Sequence, residues 1–379
     1  MTRTWIAGAG LLLNAQLTMA PDAPQTVPPT IEVYASSPLG PPGGEAQRAI
    51  ANSQSLEGAS LGAPGTRSLA DAMQDLGSVF RTDATGSAFQ PDLFYRGYSI
   101  SPLLGLPQGM AVYLDGVRVN EPFGDTVNFD LIPLIALQRA DLIPGSNPVF
   151  GRNTLAGALA LSTKTGFDSP GVGLHLNAGA FGRRGASAEY GVATESAALY
   201  LAAEHFEEDG WRDFSDSEIN QVLANISYID DNHSIELMVA SNDNTMTGNG
   251  AVPEELVELE GRESVYTHPD ETNNRLDLIT LSADINLSAQ LSFQSNAYYR
   301  KNKIDSINGD DSDYEECDIG AGYTLCEEED DEVEMVEFIG YDDDTLLSDI
   351  SELDPDDIDG TLNTGATDNE SYGVAMQLV

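Results

Sequence analysis

Basic residues are scarce in this chain. Seventeen Lys and Arg stand against 62 Asp and Glu in 379 residues, a formal net charge of −45 at pH 7. Phosphate contacts are made by Lys and Arg, so a general nucleic-acid binder is excluded. Docking on an anionic membrane surface is disfavoured for the same reason. No run of eighteen apolar residues occurs, so no helix is long and apolar enough to cross a membrane. A β-barrel would leave no such run, because its lipid-facing and lumen-facing residues alternate. Histidine is rare: His175, His205, His233 and His268 are scattered and form no His-x-x-x-His pair, and there is no Cys-x-x-Cys. An enzyme is not expected, and no cofactor is implied. Cysteine is limited to Cys317 and Cys326, both in an acidic stretch. In an exported chain this pair is expected to form a disulfide.

What is present centres on residues 94–166. Phe94-Tyr-Arg-Gly-Tyr98 leads into Gly109-Met-Ala-Val-Tyr-Leu-Asp-Gly-Val-Arg-Val-Asn120 and then Glu121-Pro-Phe-Gly-Asp-Thr-Val-Asn-Phe129. Val112, Leu114, Val117 and Val119 flank Asp115-Gly116, a strong two-residue hairpin signal because both turn positions want φ > 0. Ile132–Leu142 is apolar with helix-compatible breaks, stopped by Pro144-Gly145. Ala158–Thr163 is short and β-capable. Gly97, Gly116, Gly145, Gly151 and Gly157 are expected where φ is positive or a side chain would clash. The unit reads as compact α+β, with no nucleophile–base pair, metal spacing or phosphate loop.

These residues resemble the plug domain of TonB-dependent outer-membrane receptors. The resemblance rests on Arg96-Gly97, the Val-Tyr-Leu-Asp-Gly-Val hairpin, and the run from Asp141 to Gly166. The wording Asn120–Phe129 and Gly145–Gly157 is similar to one subgroup of that family. It implies that Arg96, Gly97, Asp115, Gly116, Gly145 and Gly151 maintain plug geometry.

Upstream, Met1–Ala20 carries one early Arg3, an apolar Trp5–Leu13 run and Thr18-Met-Ala20. It resembles a secretory signal peptide; an N-terminal core helix is the other reading. Residues 21–65 are rich in Pro, Ala, Gly and Ser and read as a flexible linker. Within it, Thr30-Ile-Glu-Val-Tyr-Ala35 is an isolated β-capable segment suited to pairing with a sheet edge. It resembles the TonB box, so Thr30, Ile31, Glu32, Val33, Tyr34 and Ala35 are the expected contacts for TonB. Residues 66–167 form the expected plug domain. They open on a helix over Arg67–Leu76, with Ser68 as cap, Asp71 three residues on, and Leu69, Ala72, Met73 and Leu76 on one face.

From Gly171 the pattern changes to period two. About eight strands are expected, at 172–182, 186–193, 197–208, 218–230, 233–243, 273–287, 289–302 and 370–379. Apolar-out, polar-in strands of this kind suit a transmembrane barrel wall. Tyr190, Tyr200, Phe206, Tyr228, Tyr298 and Tyr299 either form interfacial girdles or pack. Connections at 230–233 and 287–290 are tight, whereas 244–272 and 304–369 are long. The expected fold is therefore an α+β plug followed by antiparallel transmembrane strands, a partial barrel over 171–379. Plugged transporters have about 22 strands, so a C-terminally truncated receptor is expected.

The 304–369 loop is acidic throughout, and the chain has no Lys or Arg after Lys303. Three readings stand: a solvated surface loop, a divalent-cation site, and recognition of a cationic ligand. The resemblance implies energy-coupled uptake of a scarce nutrient, with a ferric siderophore as the commonest class and cobalamin, nickel and sugars open. Expected partners are TonB, outer-membrane lipid, and a small-molecule or metal-chelate ligand. The rival of another class is a non-transporting binding module made of plug and partial sheet.

Overall fold

A computed structural model describes residues 53–62, 66–146, 148–288, 290–311, 315–318, 323–329, 332–335 and 360–378. The signal segment, the box-like Thr30–Ala35 and half of the acidic 304–369 tract lie outside the described residues.

The first body is built from two small sheets. Strands β1 (Gln54–Glu57), β5 (Met110–Leu114), β6 (Val117–Arg118), β7 (Leu137–Pro144) and β8 (Gly157–Thr163) form one sheet in the order β1-β7-β8-β5-β6. Only β5 and β8 run parallel. All five residues of β5 are buried, which is why it reads as a continuous apolar run rather than an alternation. The other sheet is β2 (Val79–Thr82), β3 (Asp92–Tyr95) and β4 (Tyr98–Ile100), in that order. Helix α1 (Gly58–Leu61) follows β1, and α2 (Leu69–Met73) is held by a capping box between Ser68 and Asp71. Such a cap typically contributes about 1 kcal/mol.

Two local expectations need correction. Residues 21–65 are not linker throughout, because β1 pairs with β7 from Gln54↔Leu142 to Glu57↔Arg139. Arg139 fixes that edge through Glu57, Ser55 and Asp141. The apolar run 132–142 is not helical beyond a single 3-10 turn at Leu134–Ala136; from Leu137 it is strand. Its apolar residues are buried between β1 and β8, and sheet pairing overrides a weak local preference. Gly157, at the start of β8, has φ +155, and a Cβ there would lie 2.2 Å from the Ile143 carbonyl oxygen. Only glycine lets β8 approach β7 so closely.

The second body is one antiparallel meander. Its strands are β9 (Gly171–Ala178), β10 (Arg184–Ala193), β11 (Ala197–Glu208), β12 (Ser217–Ile229), β13 (His233–Thr247), β14 (Asp270–Ser288), β15 (Leu291–Asp311) and β19 (Gly360–Leu378). They pair in chain order, with β9 and β19 as free edges, so the wall is open among the described residues. A short helix α3 (Glu254–Glu260) lies in the β13–β14 connection. Between β15 and β19, β16 (Glu315–Asp318), β17 (Tyr323–Glu329) and β18 (Glu332–Met335) make a separate small sheet.

Eight strands are present in the wall, as the alternation predicts, but five are longer than expected, β10 and β13 among them. β14, β15 and β19 run 19, 21 and 19 residues, so the connection expected at 304–369 begins and ends as strand. Asp305–Asp311 carries a single apolar side chain, Ile307, too few to show an alternation. In the small sheet, Cys317 is opposite Thr324 and Cys326 is opposite Glu315. Their side chains, and hence the expected disulfide, fall outside what is described.

The wall is inverted relative to a water-soluble sheet. On its outer face one register row reads Val172, Tyr190, Leu201, Ala224, Val239, Ile279, Tyr299, Tyr372. The next reads Val192, Leu199, Ile226, Leu237, Leu281, Ala297, Val374. Most of these large apolar side chains are exposed. Two further rows, Tyr228-Ile235-Ala283-Ser295-Met376 and His233-Ile285-Phe293-Leu378, continue the band. Four rows of alternate residues span on the order of 20 Å along the strands. On the side of the long connections the band gives way to Ser241-Asp277-Lys301-Glu370. The tyrosines divide accordingly: Tyr190, Tyr228 and Tyr299 face out, whereas Tyr200 and Phe206 are buried on the inner face.

The plug lies against that inner face. One apolar cluster joins Leu93, Val112, Phe129, Leu142 and Leu159 of the plug to Tyr200, Leu223, Met238, Leu276 and Leu278 of the wall.

Candidate functional site

Polar residues on the inner face of the wall hold one plug segment, Asn120–Ile132. Across five adjacent strands the register row Gln221-Asn242-Leu276-Asn302-Asn369 presents four amides to it. A second row adds Asn244 and Asn274, directly opposite each other. The Glu121 carboxylate accepts from Arg300 at 2.6 and 3.1 Å, from Asn302 at 2.8 Å, from Asn128 at 3.2 Å and from Asn369 at 3.4 Å. Glu121 and Arg300 are each 3% exposed. Nine residues on, Asp130 has no cation within ion-pair distance among the described residues. Its carboxylate accepts from Asn244 at 3.0 Å and from Asn274 at 3.0 and 3.1 Å. Its carbonyl oxygen accepts from Gln221 and Asn244, and that of Leu131 from Asn242 at 2.7 Å. Burial pushes the Asp130 carboxyl up to about 6. The Oδ1 atoms of Asn242, Asn274 and Asn302 are buried without a hydrogen-bond partner in this band.

Weaker ties flank this seat. Lys164 donates to Glu189 at 2.7 Å, and the Tyr200 hydroxyl donates to the same carboxylate at 2.8 Å. Asn296 donates to the Asp115 carbonyl oxygen at 2.9 Å.

The residues singled out in the sequence lie apart from that seat, at plug turns. Arg96 and Gly97 (φ +52 and +84) turn β3 into β4, and the Arg96 guanidinium sits over the Tyr95 ring. Asp115 and Gly116 (φ +46 and +80) turn β5 into β6. The Asp115 carboxylate accepts from the Thr163 amide at 2.9 Å and its hydroxyl at 2.8 Å, locking that turn to the end of β8. Burial pushes the Asp115 carboxyl up. Gly145 and Gly151 (φ +93 and +76) bracket the β7–β8 connection. Sequence reasoning missed Glu121, Asp130 and Arg300 as contacts. Their signal was a buried charge in an otherwise apolar, asparagine-rich pattern. Gly58-Ala-Ser-Leu-Gly62 spells the nucleophile-elbow pattern. Yet every histidine of the chain is at position 175 or beyond, so the plug supplies no imidazole base for Ser60.

A second feature lies where the plug meets the long-connection end of the wall. Loop 83–90 is clamped there: Gly250 N donates to the Thr85 carbonyl oxygen at 3.0 Å, and Phe89 packs edge-on against Phe206 beside Ile219 and Met246. Beside this clamp is a cleft of about 440 Å³, lined from the plug by Arg67, Asp83 and Gly86–Ala88 and from the wall by Arg183, Glu208, Trp211, Arg212 and Asn249. Both bodies contribute, so an occupant of the cleft would touch plug and wall together. Among the described residues, no group of three His, Cys, Asp or Glu side chains is placed to hold a metal ion.

The model of the TonB-dependent Receptor Plug Domain family matches residues 45–158, starting well upstream of the expected residue 66. No curated protein sequence matches the chain. Among solved structures, the ferric-catecholate import receptor Fiu from E. coli K12 in its open form is similar, with TM-score 0.62 and 13% identity, over 91% of this chain and 48% of that one. The siderophore receptor PiuA from Acinetobacter baumannii follows the same course, with TM-score 0.59 and 14% identity, over 87% of this chain and 42% of that one. The ferric citrate transporter FecA in its unliganded form gives TM-score 0.55 and 13% identity, over 72% of this chain and 46% of that one. At these identities the likeness is one of fold, and the chain spans a little under half the length of each. The fold is the one these solved receptors share.

Proposed function

We propose that this chain, which carries a TonB-dependent receptor plug domain and the plug-and-wall fold of those receptors, serves energy-coupled uptake of a scarce nutrient across the outer membrane. A ferric siderophore is the ligand class we favour. The observation that carries the reading is a plug welded by buried polar contacts to a sheet whose opposite face is an exposed apolar band. Such a band suits hydrocarbon, where a polar exterior would be costly. Its rows span close to the roughly 25 Å of a barrel's apolar girdle. Tight turns mark the periplasmic end and long connections the outer end, which puts the Arg67–Arg212 cleft on the side from which ligand arrives.

In this reading the box Thr30–Ala35 adds as a strand to TonB, and force applied there reaches β1, the edge strand of the plug sheet. Val33→Pro removes a strand N–H and should abolish site-specific crosslinking of this segment to TonB; undiminished crosslinking sinks the assignment. A plug that takes in β1 and runs to residue 167, residues 171–379 as wall, and a Cys317–Cys326 bridge complete the proposal. The rival binding module is separated by fractionation. The receptor should be recovered with outer membranes, and recovery in the soluble periplasm would favour the module.

A further inference from the structure

We propose that the cleft between the plug loop 83–90 and the wall takes an anionic ligand that also carries a hydroxyl or N–H donor. The inference rests on the receptor reading and narrows it, since neutral and cationic nutrients are otherwise open.

Charge is the first observation. Acidic residues outnumber basic ones 62 to 17 in this chain, so an arginine without a carboxylate partner is unexpected. Four arginines nevertheless gather here. Arg67, Arg183 and Arg212 line the cleft, and Arg262 and Arg212 flank the Trp211 ring at 5.6 and 5.8 Å. Arg183 is paired with Glu208 at 2.7 Å. Among the described residues, Arg67, Arg212 and Arg262 have no carboxylate within ion-pair distance. Arg212 instead donates to the carbonyl oxygens of Gly250 at 2.8 Å and Ser264 at 3.3 Å. Those carbonyls carry no net charge, and burial pulls its guanidinium below the usual range, with the more distant Asp270 opposing the fall.

The second observation is a buried acceptor. Asn249 lines the same cleft and is 3% exposed. Its amide nitrogen donates to the carbonyl oxygens of Asp213 at 2.9 Å and Phe214 at 2.8 Å, so its orientation is fixed. Its Oδ1 then has no partner. A buried acceptor left unmet costs on the order of 1–3 kcal/mol, so a donor on the occupant would relieve it. Guanidiniums, one indole face and one amide oxygen together suit a hydroxylated carboxylate or a comparable anionic chelate.

Trp211 allows a test that does not depend on knowing the ligand. Tryptophan occurs only at positions 5 and 211, so Trp5→Phe leaves Trp211 as the sole indole reporter. In that full-length background, the iodide-to-caesium quenching ratio at Trp211 should be at least twice that of free N-acetyltryptophanamide, against the sign of the net charge. Arg67→Gln and Arg262→Gln should each reduce the ratio; neither residue pins the loop as Arg212 does. Ferric citrate should then perturb Trp211 saturably, at least tenfold more tightly than a neutral ferric trihydroxamate or aqueous nickel(II), and Arg67→Gln should weaken it at least threefold. An iodide-to-caesium ratio no higher than that of free N-acetyltryptophanamide overturns the proposal. So does equal or tighter binding of the neutral chelate or nickel. The crosslinking at Val33 is read independently, so failure here leaves the receptor reading standing.

Discussion

Replacing Arg300 with methionine should unseat Asn120–Ile132 from the wall. The change leaves the Glu121 carboxylate 3% exposed with only the amides of Asn128, Asn302 and Asn369 as donors. Removing one partner of a buried ion pair typically costs about 3–5 kcal/mol, because the remaining charge is desolvated and uncompensated. At 1.4 kcal/mol per tenfold, amides in this segment should exchange with deuterium roughly a hundred to several thousand times faster. Exchange in the β5–β8 core, which does not touch Arg300, should change far less. Glu121→Gln added to Arg300→Met should restore much of the protection, since a neutral amide can still accept from the asparagines. Unchanged exchange at Asn120–Ile132 in the single variant would show that the pair does not hold the plug.

Asp130→Asn should make seating insensitive to mild acid. The seated carboxyl is raised to about 6 by burial, with Glu121 adding to the rise and the amides of Asn244 and Asn274 opposing it. A raised carboxyl means that the seated state favours the protonated form. Its contribution is therefore complete below the ordinary 3.8 and is lost as pH climbs through about 6. Between pH 4 and pH 7 the loss is on the order of 3 kcal/mol. The protonated acid also has an acceptor available, because Asn274 Oδ1 is buried without a partner. Denaturant melts of the detergent-solubilised chain at pH 5 and pH 7.5 supply the measurement. The wild type should be more stable at pH 5 relative to Asp130→Asn than at pH 7.5. An identical pH dependence in the two would remove Asp130 as the titrating group.

The parts legible in the sequence are those fixed by neighbours along the chain. Asp115-Gly116 states its own turn, Ser68 with Asp71 states its own cap, and the alternation from Gly171 yields eight strands and the face that carries Ile279 and Leu281. The seat was not legible, because Glu121 and Arg300 are 179 residues apart and nothing local marks either as half of a pair. Asn242, Asn274 and Asn302 read only as the polar phase of an alternation. Their meaning comes from register, which sets them in adjacent rows facing one plug segment. β1 escaped for a related reason: Gln-Ser-Leu-Glu has no strand pattern of its own and is strand only because β7 offers an edge. The cleft combines residues from 67 to 249, and its arginines look like ordinary surface charges until folding assembles them.

The unequal strand lengths carry a consequence for traffic. β9 has 8 residues and β10 has 10, whereas β15 has 21. Beyond the row that contains Tyr299, β15 continues for twelve residues to Asp311, about 40 Å of extended chain before tilt. The described wall therefore rises like a ramp, low beside β9 and steep beside β15 and β19. The arginine-lined hollow opens near the low end, at the β11–β12 connection. Of the strands described, those beside it rise least above the apolar band, and Trp211 stands on that low shoulder, away from the tall acidic flank.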